Sequence, residues 1–183
     1  NSFNQIPHNP LKPDTMMLVA GNHDICFSQW DEYLENYKTS VYYFIVGTPL
    51  GQKDFFIMYD SADGTLGKKQ LQWMKNTLEW ASKQNFRHIV AGSHTHFFMR
   101  DNSQGIATNY SIEETYTLLR LFQSYGVDML LTGHSHSREV TMFDELTCII
   151  VDSMTDEDKK PAYLVATMGE TIEYEFVNLP TKQ

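Results

Sequence analysis

Five of the seven histidines of this chain fall in three short turns, and each turn follows an apolar run. The segments are MMLVA-GNHD (Met16–Asp24), HIVAG-SHTH (His88–His96) and DMLLT-GHSH (Asp128–His136). Imidazole nitrogens ligate divalent ions, an amide oxygen such as that of Asn22 is a neutral hard ligand, and a histidine followed by aspartate offers an oriented acid. His23, His94, His96, His134 and His136 together therefore point to a metal site. Gly133-His134-Ser135-His136 places two imidazoles two residues apart, and an extended turn would let both address neighbouring ions.

These turns need elements to hold them. Each apolar run has the length and composition of a buried strand. Each histidine turn is thus expected at a strand's C-terminal end, where open α/β sheets keep their chemistry. Residues 1–15 are rich in Asn and Pro and read as a loop, and Ser28 is a candidate N-cap for a helix to Tyr37. Val41–Val46 and Phe55–Tyr59 read as adjacent antiparallel strands. From Lys68 to Ser82, Leu71, Met74, Leu78 and Ala81 recur at helical spacing, with Trp73 and Trp80 a heptad apart as core or rim packing. Ser111-Ile112-Glu113-Glu114 is a capping box opening a helix that Gly126 closes. Strands follow at Val127–Leu131, Val140–Phe143, Thr147–Val151, Ala162–Met168 and Thr171–Val177, the last two joined at Gly169-Glu170. Strand–helix alternation followed by hairpins predicts an α/β fold with mixed sheets and outer helices.

A length of 183 residues fits one domain with a sizeable core. The net charge is −9, from 14 basic and 23 acidic residues, and the basic residues are scattered. That excludes a basic stripe for nucleic acid or an anionic membrane, but not a small phosphorylated substrate, because a bound divalent ion reverses the local field. No stretch has the length of a membrane span and no signal-like opening is visible, so the compartment stays open. Cys26 and Cys148 follow no CxxC pattern and read as free thiols, with a single disulfide as the alternative.

With these residues in view, the chain resembles the calcineurin-like metallophosphoesterases. Their pattern is Asp-x-His, Gly-Asp-x-x-Asp, Gly-Asn-His-Asp/Glu, a lone His, then Gly-His-x-His. Gly21–Asp24 matches the third block and Gly133–His136 the fifth; His94 matches the fourth, with His96 where proline is usual. Phe55–Leu78 is similar to the family's strand, Asp-Ser loop and Gln-x-x-Trp helix, which favours the phosphodiesterase and purple-acid-phosphatase-like branches. The resemblance implies part of a four-layer α/β/β/α sandwich. It implies Asn22, His94 and His134 as ligands of one metal and His136 as a ligand of the other. His23 would stabilise or protonate the leaving oxygen, with Asp24 fixing its orientation. In the family a hydroxide bridging two ions attacks the phosphorus of a phosphodiester or phosphomonoester. Mn, Fe or Zn would suit these ligands.

Each assignment has a competitor. His96 is the alternative ligand to His94, His23 could be a core histidine satisfied by Asp24, and His88 reads as structural while His8 is unassigned. Asp60 and Asp63 are explained by turn formation. The family's first two blocks are absent: no Asp-x-His occurs, and no Gly is followed by Asp. Residues 1–183 are therefore expected to be a single domain, the C-terminal part of a phosphoesterase whose first two strands and blocks lie elsewhere. That reading expects at most one ion here, little hydrolysis, and association between copies through unpaired sheet edges. The alternatives are a non-catalytic metal-binding or interaction domain derived from the same fold, and a structural zinc protein using His94, His134 and His136.

Overall fold

The runs densest in β-branched and aromatic residues pair as their composition directs. Tyr42–Gly47 (β1) and Lys53–Met58 (β2) form an antiparallel hairpin whose turn uses Gly51 at φ +81°. β2 pairs in parallel with His88–Gly92 (β3), β3 with Met129–Thr132 (β4), and β4 with Leu146–Ile150 (β6), while Glu139–Phe143 (β5) runs antiparallel along the far side of β6. The result is one mixed six-stranded sheet in the order β1-β2-β3-β4-β6-β5. This computed structural model describes residues 16–25, 29–97, 110–153 and 161–180.

Alternation along the strands assigns the two faces of the sheet. Phe55, Ile57, Ile89, Ala91, Leu130, Leu146 and Cys148 face one core, which Gly67–Ala81 (α3) and Ile112–Ser124 (α4) close with Met74, Leu78, Ala81, Leu118, Leu119 and Phe122. Full burial of each large apolar side chain there contributes about 1.5–3 kcal/mol. Val90, Met129 and Ile149 face the other way. They pack against Leu164, Met168, Ile172 and Phe176 of the antiparallel hairpin Ala162–Met168 (β7) and Ile172–Asn178 (β8). Helices, mixed sheet and hairpin sheet thus stack as layers of an α/β fold. No helix among the described residues is long and apolar enough to cross a membrane.

Several expectations need correction. Met16–Ala20 is not a strand: no strand among the described residues pairs with it, although Tyr42 Oη donates to the Leu18 carbonyl at 2.6 Å. Only two of the three histidine turns therefore follow a strand; the first is carried by the single helical turn Asn22–Ile25 (α1). The apolar face of α3 includes the polar Gln70 and Thr77 among its buried residues, while Leu71 is half-buried. Half of the capping box forms: Ser111 Oγ accepts from Glu114 N–H at 3.1 Å. The Glu114 carboxylate instead accepts from Leu66 N–H at 2.9 Å, tying α4 to the loop ahead of α3. The last hairpin turn takes three residues, with Met168 opposite Ile172. Gly126 closes α4 at φ +67° as expected. The helix Gln29–Tyr37 (α2) lies where one was expected, but Ser28 and Cys26 fall outside the described residues, as do His8 and the opening loop. Cys148 is a buried free thiol.

Candidate metal site

Strands β2, β3, β4 and β6 run parallel, so the segments that leave their C-terminal ends lie side by side. Hydrogen bonds carry the sheet's ladder past its last residues. Ser93 N–H donates to the Leu131 carbonyl at 3.0 Å, Gly133 N–H to the His94 carbonyl at 2.9 Å, and Val151 N–H to the Thr132 carbonyl at 2.7 Å. On the other flank Ser61 Oγ accepts from His94 N–H at 3.1 Å and Thr95 N–H at 2.9 Å, and Thr95 Oγ1 donates to the Ser61 carbonyl at 2.7 Å. The turns bearing His94 and His134 are therefore locked to each other and to the loop after β2.

Three of the expected residues meet. His94 Nε2 lies 2.8 Å from Asn22 Oδ1 and 2.9 Å from His134 Nδ1, with the two imidazole rings nearly perpendicular and their centroids 4.9 Å apart. Of the two histidines in the second turn, His94 makes these contacts. His96 is buried beside it, its ring centroid 6.3 Å from that of His134. Asn22 reaches the cluster because Gly21 has no side chain: a Cβ there would lie 3.2 Å from His94 Cε1 and Nδ1. Gly21 N–H also donates to Asp24 Oδ2 at 2.7 Å, which closes the turn on itself.

The third turn is not extended. His134 and His136 both take left-handed backbone, at φ +71° and +49°. For a residue with a Cβ such conformations cost about 1–3 kcal/mol and persist where the surroundings enforce them, commonly at functional sites. The Asp24 carboxylate accepts from Gly21 N–H, and no hydrogen bond among the described residues joins it to His23. His23 is exposed, which removes the core-histidine reading; His136 is exposed as well. His88 is buried and structural, its Nε2 3.0 Å from the Gly169 carbonyl at the tip of the β7–β8 hairpin.

Burial and neighbouring imidazoles keep the cluster neutral. Desolvation, then the charge of His134, pulls the His94 pKa down to about 4, with His23 and His136 acting in the same direction and Asp24 against it. Desolvation, then His136 and His23, also lowers that of His134. A neutral imidazole keeps the lone pair that a metal needs. Ligands at 2.0–2.2 Å from one ion and at right angles to one another are separated by roughly 3 Å, close to the two spacings at His94 Nε2. The donor set of two imidazoles and an amide oxygen thus fits one divalent ion. Among the described residues no group of three or more His, Cys, Asp or Glu side chains is placed to hold an ion.

Ser61 and Thr95, both fully buried, were not singled out by sequence; the Asp-Ser loop was visible, but its bond to the His94 turn is long-range. Arg138 and Asp152 were likewise missed. Arg138 Nε donates to Asp152 Oδ2 at 2.7 Å and ties the segment after His136 to the segment after β6. Asp60 and Asp63 form the expected turns, accepting from Ala62 and Thr65 N–H.

Comparison with known proteins assigns this architecture. The family model described as calcineurin-like phosphoesterase matches residues 3–138. A curated relative from Arabidopsis thaliana, named manganese-dependent ADP-ribose/CDP-alcohol diphosphatase, is 32% identical over 93 residues, which cover 49% of this chain and 27% of that protein. A solved Plasmodium structure, "GAP50 the anchor in the inner membrane complex", superposes with a TM-score of 0.51 at 18% identity, covering 63% of this chain and 38% of that one. The match to the curated relative thus spans little more than a quarter of its length.

Proposed function

This chain belongs to the calcineurin-like phosphoesterase family, and from that premise we propose that it takes part in metal-dependent hydrolysis of phosphate esters, with Asn22, His94 and His134 holding one divalent ion. The observation that carries the reading is the meeting of Asn22 Oδ1, His94 Nε2 and His134 Nδ1 within 2.8–2.9 Å. The manganese dependence in the name of the Arabidopsis relative favours Mn²⁺ over Fe or Zn, and its diphosphate substrates favour an ester with two substituents on phosphorus over a monoester.

A bound divalent ion supplies a Lewis acid for the phosphoryl oxygens and acidifies a bound water. The protein's own residues prepare that chemistry. The Gly21–Asp24 bond fixes the turn that presents the Asn22 amide oxygen. His94 and His134 are held neutral at physiological pH, and the bond from Gly133 N–H to the His94 carbonyl keeps their two turns side by side. His23, exposed at the rim, donates the proton that the leaving oxygen requires. His136 would hold a second ion, were one bound.

The 183-residue chain is expected to bind one ion and to hydrolyse esters slowly on its own, because its sequence contains no Asp-x-His and no Gly-Asp pair. Titration calorimetry with Mn²⁺ tests this. One ion per chain is expected, lost in His94→Ala and in His134→Ala. Saturable binding that both variants keep would overturn the ligand assignment, and fast turnover of bis-p-nitrophenyl phosphate would overturn the expected low activity. The lack of an Asp-x-His and of a Gly-Asp in the sequence also favours a second reading, a non-catalytic metal-binding domain on the same fold; Mn²⁺ binding with no hydrolysis at any pH would select it.

A further inference from the structure

β1 forms one margin of the six-stranded sheet and is bonded to β2 on one side only. Which of its backbone groups face outward follows from the turn that joins the two strands. Thr48 N–H donates to the Gln52 carbonyl at 2.9 Å, and that bonded pair continues the β1–β2 register by one step. Bonded pairs alternate along an antiparallel ladder, so the N–H and C=O groups of Val46, Phe44 and Tyr42 point to β2. β2 agrees. The Lys53 carbonyl accepts from Arg87 N–H and Tyr59 N–H donates to the Gly92 carbonyl, so its odd-numbered residues turn away from β1. The N–H and C=O groups of Tyr43, Ile45 and Gly47 therefore point outward, and no backbone bond among the described residues meets them.

Edge strands that stay alone are guarded by charge, by proline or by a bulge. β1 reads Tyr-Tyr-Phe-Ile-Val-Gly, with no charge and no proline, and its register with β2 runs unbroken from Tyr42 to Gly47. The opposite margin differs, since β5 carries Glu139. The hairpin β7–β8 lies over the sheet rather than at its margin, against Val90, Met129 and Ile149. At β1, apolar side chains run out to the edge on both faces. Tyr43 and Ile45 pack at the rim of the core that α3 closes, and on the other face Phe44 stacks on Phe56 with centroids 4.7 Å apart and planes 1° from parallel. Tyr43, Phe44, Ile45 and Val46 are only half-buried.

A second copy fits this edge because the strand complements itself. The outward groups are centred on Ile45, so a two-fold axis there would set Ile45 opposite its own counterpart and Tyr43 opposite Gly47 of the second copy. Every outward N–H would then meet an outward carbonyl. The side chains agree with that register. A Cβ at Gly47 would meet nothing within 4 Å, which leaves room for the Tyr43 ring of the second copy. On the other face Phe44 would lie opposite Val46, an aromatic and β-branched pair of the kind that stabilises sheets. Each chain carries a net charge of −9, yet no charge faces a like charge along this seam. We propose that two copies of this chain associate by antiparallel pairing of their β1 strands about Ile45, joining two sheets into one. The seam is about 20 Å long, well short of the roughly 800 Å² per partner that stable dimers bury, so the dissociation constant is expected at about 10–100 μM.

Sedimentation velocity over a concentration series of the full chain tests the pairing, and a reversible monomer–dimer equilibrium is expected. Ile45→Lys and Ile45→Glu each set like charges face to face across the axis and should weaken the dimer by about ten-fold or more. An equimolar mixture of the two sets lysine against glutamate. It should associate about ten-fold more tightly than either variant alone, which two merely unfolded variants could not do. Gly47→Pro removes one outward donor and no β1–β2 bond, and should abolish dimers in a chain that circular dichroism shows to be folded. His94→Ala should leave the equilibrium unchanged, because the seam does not depend on the metal site. A wild-type chain that stays monomeric to about 1 mM would overturn a second copy as the occupant of this edge. Dimers that all three β1 variants keep, or a mixture no more associated than its components, would equally overturn the proposal.

Discussion

Replacing Ser61 with alanine is expected to damage the site without touching a ligand. Ser61 is fully buried, and its Oγ accepts the backbone N–H groups of His94 and Thr95 at 3.1 and 2.9 Å. Alanine leaves both donors without that acceptor, in a space where the lost oxygen makes too small a gap to admit water. Each orphaned donor costs about 1–3 kcal/mol, so the pair amounts to roughly 2–6 kcal/mol before relaxation. Against a total stability of about 5–15 kcal/mol, that is a large fraction. Thr95→Val is the control: it removes the 2.7 Å bond to the Ser61 carbonyl but keeps both N–H groups paired, and should cost about 1 kcal/mol. Urea denaturation followed by circular dichroism measures the difference. Because the His94 turn hangs on those bonds, Mn²⁺ affinity should also fall by about 10–100-fold in Ser61→Ala, as when groups supporting metal ligands are removed. A stability loss below about 0.5 kcal/mol would refute the orphaned-donor reasoning. A full loss of stability with unchanged Mn²⁺ affinity would refute the positioning role.

Four further outcomes follow from particular contacts. Gly21→Ala sets a Cβ 3.2 Å from the His94 ring; it should cost about 1 kcal/mol of stability yet weaken Mn²⁺ binding about ten-fold, read by calorimetry. His136→Gly relieves a left-handed residue and should be about 1 kcal/mol more stable than His136→Ala in urea titrations of the metal-free chain. Burial pushes the Cys148 thiol up to about 12, so a thiol reagent at pH 8 should label it only after unfolding. The sign of the linkage is set by that rise: Cys148 contributes stability fully present below its ordinary pKa near 9 and lost as pH climbs towards 12, a slope that Cys148→Ala should flatten. Glu114→Ala removes the acceptor for Leu66 N–H and should lower the melting temperature by roughly 3–6 °C, for about 1.5 kcal/mol in a chain of this size.

What sequence could reach was set by the range of the interactions involved. Strands β1, β2, β7 and β8 and helices α3 and α4 were legible because alternation and helical periodicity report on one face of one element at a time. The cap at Ser111 and the glycine at 126 were legible for the same reason, being local hydrogen-bonding and backbone requirements. Glu114 was misread because the same carboxylate can reach back to its own cap or across to Leu66, and only the packing of α4 against the loop before α3 chooses. Met16–Ala20 has a strand's composition, but composition does not provide a partner, and a strand without a ladder is only extended chain. The histidines at 94 and 134 could be named because their residue types carry the chemistry. Ser61 could not, since a serine in an Asp-Ser-Ala turn looks like any turn former until the His94 backbone is placed against it. The left-handed backbone at His134 and His136 was equally hidden, because positive φ is uncommon for any residue with a Cβ, even for histidine, which adopts it more often than most.

The site's precision comes from the sheet rather than from the turns themselves. A lone Gly-His-Ser-His loop would relax both histidines out of the left-handed region, since nothing local repays that strain. Here Gly133 N–H is bonded to the His94 carbonyl, Val151 N–H to the Thr132 carbonyl, and Arg138 to Asp152, so the loop is anchored before, at and after the strained residues. The His94 turn is anchored in the same way by Ser61 and by the Leu131 carbonyl. Each imidazole therefore inherits its place from strands whose register is fixed by the cores on both faces of the sheet. The Asn22 turn is the exception. It reaches the cluster through the closeness of Gly21 to His94 and through its own Asp24 clasp, with no ladder of strand bonds among the described residues behind it. Of the three proposed donors, the amide of Asn22 is thus the one not carried on a turn that follows a strand, and ordering that turn is the step that a bound ion would do most to drive.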